Sequence, residues 1–116
     1  MDFQVVFYQK ADGSEPVREF MDSLPQKLRT KMAGDLIKLK QRNIELREPY
    51  AKPMGKGLFE LRIGYANDIV RAFYFFYEGR RIIVTNGFIE KTQRTPRREL
   101  ERARRYKRDW EERRPL

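Results

Sequence analysis

Residues 3–8, FQVVFY, are β-branched and aromatic and predict a short strand. Asp12-Gly13 marks a turn, and Ser14 predicts the N-cap of a helix with Glu15 and Pro16 in its first turn. Val17, Phe20, Met21 and Leu24 recur at i, i+3, i+4, i+7, one apolar stripe of that helix. Pro25 closes it and opens the next, where Leu28, Met32, Leu36 and Leu39 keep helical spacing among lysines and arginines. This second helix fades between Asn43 and Arg47.

Residues 48–57, EPYAKPMGKG, carry two prolines and two glycines and predict a loop. Beyond it the period drops to two. In LFELRI, residues 58–63, Phe59, Leu61 and Ile63 share one face, and Glu60 and Arg62 the other. GYAND, residues 64–68, predicts a hairpin connection. IVRAFYFFY, residues 69–77, is a nearly unbroken apolar run with one interior charge, Arg71. Glu78-Gly79-Arg80 turns the chain into a third strand, RIIVTNGFI, residues 81–89. After the polar connector EKTQRTP, Thr95 predicts an N-cap and Pro96 the first position of a helix to about residue 113. Leu100, Ala103, Tyr106 and Trp110 form its apolar stripe.

The order is β-α-α-β-β-β-α, which predicts one α+β domain over residues 1–116. A twisted antiparallel sheet would carry two helices on one face. The C-terminal helix alone would be left to cover the other, and a face left partly open could hold a nucleic acid or a peptide.

Composition narrows the chemistry. The 116 residues contain no Cys, which excludes a disulfide framework, a thiolate nucleophile and a zinc finger. They contain no His, which excludes imidazole acid–base pairs and His metal sites. A carboxylate-only Mg²⁺ site remains open. No apolar run approaches the roughly 20 residues that span a bilayer, and MDFQVVFYQK lacks the marks of a signal peptide. A soluble cytoplasmic protein is expected, with no membrane partner. The net charge is +9, and it is unevenly placed. Residues 91–108 hold nine basic residues against Glu99 and Glu101, a net +7. That concentration points to a polyanionic partner.

Five features could carry chemistry. Arg71 sits inside an apolar strand, where an Arg either pairs with a carboxylate such as Glu60 or faces a polyanion. Arg62, on the neighbouring strand, either converges on Arg71 or is a solvated edge residue. Gly55-Lys56-Gly57 either cradles a phosphate or is a plain turn. Lys91-Thr92-Gln93-Arg94-Thr95-Pro96 leads into a helix N-terminus, and Lys91, Arg94, Arg97 and Arg98 would add full charges to its unpaired N–H groups. The alternative there is a capped helix start with solvated charges. Tyr65, Tyr74, Tyr77 and Phe88 are either core or platforms for stacked bases.

Phe59-Glu60-Leu61-Arg62 after a Gly-rich loop, the Arg71 strand, and the run Gly87 to Pro96 followed by Glu99 and Ala103 resemble RelE/HigB-type toxins, and more narrowly the phage-derived HigB branch. The resemblance covers about residues 3 to 105. It implies a RelE-like fold and a type II toxin that cuts mRNA on the ribosome. It implies a helix-turn-helix antitoxin as partner, with operator DNA bound only through that antitoxin, and no cofactor. Carried over by position, Arg71, Arg62 and Lys91 fall on catalytic positions, with Arg94 close behind as a fourth catalytic candidate, and Lys56 is the nearest equivalent of the relatives' loop lysines; Lys56, Glu60, Tyr65, Thr92, Arg97 and Arg98 are expected as RNA contacts. Two departures stand out. Glu90 replaces the first Lys of the usual Lys-Lys pair, and the Tyr or His near the C-terminus of some relatives has no match. Arg is a poor base, so the acid–base candidates are Lys91 and Glu60.

Overall fold

A computed structural model describes residues 1–91 and 94–114. Strand β1 (Gln4–Phe7) leads to helices α1 (Pro16–Ser23) and α2 (Gln26–Arg42), then a single 3₁₀ turn at Asn43–Glu45. Strands β2 (Ala51–Gly55), β3 (Leu58–Tyr65), β4 (Asp68–Tyr77) and β5 (Arg81–Ile89) follow, and helix α3 (Arg97–Arg113) ends the described chain. The α+β class is as expected. The five strands form one sheet in the order β1-β5-β4-β3-β2.

Two sheet expectations need correction. The sheet is mixed: β2 to β5 form an antiparallel meander, but β1 pairs with β5 in parallel. Strand pattern alone does not carry direction, and the two helices between β1 and β2 let the chain return on either hand. The segment expected to be a loop also contributes a strand, β2. Pro53 has no N–H to donate, which a strand tolerates only at an edge or a bulge. Here β2 is the outer strand, and its register slips between Pro53 and Gly55. Lys56 and Gly57 then close a two-residue hairpin with φ of 55° and 80°. Positive φ at both central positions is the turn geometry that follows the sheet's twist, and it makes Gly-Lys-Gly a structural turn.

The two faces have different covers. Val17, Leu28, Met32, Leu36 and Leu39 of α1 and α2 pack on Leu61, Ile63, Val70, Ala72 and Tyr74. Ala103 and Trp110 of α3 pack on Leu58, Phe73, Phe75, Ile83 and Phe88 of the opposite face. Strand alternation produces this division. It also sends Glu60, Arg62 and Arg71 to the α3 side. The C-terminal helix therefore does fold back over the second face.

Both predicted side-chain caps are displaced by one residue. Helix α1 starts at Pro16 with Glu15 as its cap, because Ser14 instead donates to Asp12 within the preceding turn, at 2.6 Å. Helix α3 is capped at Pro96, and Thr95 is used elsewhere. Gly87 is confined by both layers: a Cβ there would lie 2.8 Å from the Phe20 ring and 3.2 Å from the Arg71 carbonyl oxygen. Among the described residues no helix is long and apolar enough to cross a membrane.

The far end of α3 is pinned to β1. The Tyr8 hydroxyl donates to Asp109, and its ring stacks on Tyr106 at 4.6 Å between centroids. Burial, reinforced by the Asp109 carboxylate, pushes the Tyr8 phenol up to about 12, and burial does the same for Tyr74. Both phenols hold their protons more tightly folded than unfolded, where the value is about 10. Stability should therefore be intact below pH 10 and fall as pH rises from about 10 toward 12. Urea unfolding at stepped alkaline pH checks this, with absorbance at 295 nm reporting two late-ionising tyrosines.

Candidate functional site

Strands β3 and β4 pair so that Arg62 and Arg71 stand directly opposite one another. Like charges in that position are destabilising unless other groups offset them. Two carboxylates do so. Arg71 donates from Nη1 to Glu60 Oε1 at 2.8 Å and from Nε to Glu90 Oε1 at 2.6 Å, and its Nη2 also pairs with Glu90. The second oxygen of Glu60 accepts from the Thr95 hydroxyl at 2.7 Å. Glu60 is only 2% exposed, while the Arg71 side chain keeps 16% of its surface open.

The sequence alternatives are thereby resolved for several residues. Arg71 pairs with Glu60, one of its two expected roles, and with Glu90 as well. Glu60 was expected among the RNA contacts and among the acid–base candidates. Both of its oxygens are occupied and it is buried, so it positions Arg71 and ties the entry of α3 to β3. In the sequence Glu90 stands out only as a lost positive charge. It is a structural partner of Arg71, and the signal available was an Arg within an apolar strand, which calls for compensating carboxylates.

Arg62 is the exposed half of the pair and makes no ion pair or hydrogen bond through its side chain among the described residues. The connector from β5 to α3 is anchored on both sides of this corner. The Glu90 N–H donates to the Ile69 carbonyl on β4 at 2.8 Å, and Thr95 reaches Glu60 on β3. Lys91 and Arg94 lie between those anchors and are exposed. Arg97 and Arg98 open α3 on its solvent side, with ion pairs to Glu101 at 3.2 Å and Glu99 at 3.9 Å. Thr92 lies outside the described residues.

Other expected contacts fall away from the corner. Lys56 sits at the β2–β3 turn, six residues from Arg62 along one strand, on the order of 20 Å at about 3.3 Å per residue. Tyr65 ends β3 and by alternation belongs with Leu61 and Ile63, on the opposite face from Arg62. Tyr74 and Phe88 are core residues, and Tyr77 is half-buried with its hydroxyl on the Arg114 carbonyl. None of the three is a free stacking platform.

Helix α3 is held at this end by a buried polar contact. Thr85 donates to Asn86, and the Asn86 amide donates to the Glu99 carbonyl at 3.3 Å, where the β4–β5 register slips. The arrangement is thus one exposed Arg, one carboxylate-held Arg and a cationic connector, fixed by strand pairing and by the helix above. It can bind a phosphodiester and offset charge developing on it.

The family model described as phage-derived protein Gp49-like (DUF891) matches residues 19–108. That span runs from the middle of α1 through most of α3 and includes the cationic corner. No curated protein matches the chain.

Proposed function

The chain belongs to the phage-derived Gp49-like family, a RelE/HigB-like toxin family, and we propose that it is a type II toxin that cleaves mRNA on the ribosome. The observation that supports the reading is the opposed Arg62–Arg71 pair, with Arg71 bound to Glu90 at the point where the chain leaves β5 for the cationic stretch before α3. An opposed arginine pair has a structural cost, and phosphodiester chemistry gives it a use.

In this mechanism the 2′-hydroxyl of one nucleotide attacks the adjacent phosphate, and the 5′-oxygen of the next leaves. Arg62 supports the charge that grows on the phosphate oxygens. Arg71, fixed by Glu60 and Glu90, contributes charge with little freedom to reorganise. Lys91 is the candidate to exchange a proton with an attacking or leaving oxygen. With no imidazole and with Glu60 engaged, the site lacks a strong free base. Such a site is slow on free RNA, and a ribosome that orients the 2′-hydroxyl in line with the phosphate would supply the missing factor. The expected partners are the ribosome, its mRNA and a small helix-turn-helix antitoxin, through which operator DNA would be reached.

A second reading has one specific observation behind it. The two carboxylates on Arg71 leave it largely neutralised, which suits a module that binds RNA without cutting it. Inducible expression followed by mapping of mRNA 5′ ends separates the readings. Codon-phased cuts that vanish in Lys91→Ala are expected. Growth arrest with intact mRNA and trapped DNA gyrase would indicate a different target on the same fold, and binding without arrest would indicate the non-catalytic module.

A further inference from the structure

We propose that a second cleft, between α2 and the edge of β3, is a subsite for one nucleoside monophosphate unit of an RNA strand. This inference rests on the ribonuclease reading, because it names a substrate subsite beside the same corner. The cleft has a volume of about 310 Å³, at the lower end of small-ligand sites, which run from roughly 300 to 1,000 Å³. Its wall from α2 carries Lys31, Lys38, Gln41 and Arg42, and its other walls include Tyr50 and Arg62.

Charge and ring together select the ligand class. Three cations of α2, Lys31, Lys38 and Arg42, share one acid, Asp35, and Asp35 is taken by Lys31 at 2.8 Å. Lys38 is only 4.0 Å from the same carboxylate, and Arg42 has no side-chain partner among the described residues. The cleft is thus left with a surplus of positive charge. Tyr50 is 62% exposed, and no ring of the described residues packs on it. An accessible tyrosine next to unspent cations is how single-stranded nucleic acid is held, by stacking a base and pairing its phosphate. Gln41 offers both a donor and an acceptor for a base edge. The larger cleft between β1, α1 and α2, about 770 Å³, lacks this combination: it is mostly apolar, and two acids, Glu15 and Asp22, stand against its three cations, Arg18, Arg29 and Lys40.

Arg62 joins the two regions. It belongs to the opposed arginine pair and also lines this cleft. Its backbone N–H is held by the Tyr50 carbonyl at 2.8 Å, which fixes the tyrosine's segment to β3. A strand crossing the edge of β3 at Arg62 would place a scissile phosphate on one side and a flanking nucleotide on the other.

The test uses the intact protein and a fluorescent 2′-O-methyl RNA hexamer, which cannot be cut because its 2′-oxygen is blocked. Binding is read by anisotropy, without ribosomes, so it is independent of whether the protein cleaves mRNA. Tyr50→Ala should weaken the hexamer about tenfold and Tyr50→Phe should restore it, in line with the energy of one stacked base. Replacing Lys38 and Arg42 with Gln should flatten the salt dependence by about 0.7 log units per log unit of salt for each cation removed. Adenosine monophosphate should displace the hexamer better than inorganic phosphate; displacement only by a longer strand would assign the site to strand-borne nucleotides and still support it. Unchanged binding in Tyr50→Ala, no binding of the hexamer to the native protein, equal competition by inorganic phosphate, or preferential displacement by an acidic peptide would each overturn the subsite. Cleavage in cells without hexamer binding would overturn the subsite alone, and hexamer binding without cleavage would overturn the ribonuclease reading alone.

Discussion

Glu60→Ala should lower stability by about 3 kcal/mol or more, the range for removing one partner of a buried ion pair being about 3–5 kcal/mol. Small domains are stable by only about 5–15 kcal/mol in total, so this variant should sit close to unfolding. The reasoning starts from burial. Glu60 is 2% exposed and gives one oxygen to Arg71 and the other to Thr95. Its loss leaves Arg71 directly opposite Arg62 with Glu90 alone to offset it, and it releases the residue that leads into α3. Thr95→Ala removes one hydrogen bond and leaves the ion pair, for a cost of about 1 kcal/mol. Glu60→Gln keeps the shape and gives up the charge, so it should fall between the two. Urea unfolding of the three variants measures the order. A Glu60→Ala variant within 1 kcal/mol of the native protein would mean that the pair is not a structural element.

The same residue shows why much of the fold is legible in the sequence while the site is only partly so. Periodicity reports which side of an element is buried, and it placed Leu28, Met32, Leu36 and Leu39 in the core, Glu60 and Arg62 on one face, and α3's stripe against the sheet. It does not report strand direction, so the parallel pairing of β1 with β5 is invisible until β1 is seen beside β5. Composition misled at β2, where Pro53 reads as loop and is in fact an edge-strand residue beside a slip in register. Within the site, a cation inside an apolar strand announces a carboxylate partner, and Glu60 was the obvious one. Glu90 was not, because its pairing depends on where β5 ends relative to Arg71, a register no local pattern encodes. Tyr65 and Lys56 were attractive by residue type, and strand alternation and distance along β3 separate them from the corner. Tyr50 went unnoticed for the converse reason, since it lies in a segment with no period.

Arg62→Ala should reduce mRNA cleavage about a hundredfold or more while leaving stability within about 0.5 kcal/mol of the native protein. The magnitude is that of deleting one preorganised group that meets developing charge, about 10²–10³ in rate. The small structural cost follows from exposure and the lack of a side-chain partner. Removing Arg62 even relieves the repulsion with Arg71, so a slight gain in stability is consistent. Arg71→Ala differs in kind. It strips the partner from two carboxylates at once, leaving Glu60 buried and uncompensated, and so confounds lost chemistry with lost folding. Arg62→Lys discriminates further: it keeps one charge but loses the planar fork that meets two phosphate oxygens, so partial activity is expected. Thermal unfolding and 5′-end mapping on the same preparations separate the two kinds of loss. Full cleavage by Arg62→Ala would remove the opposed arginine pair from the mechanism and leave any cutting to the Lys91–Arg94 connector. Loss of cleavage together with a large fall in stability would instead make Arg62 a folding residue, against its exposure.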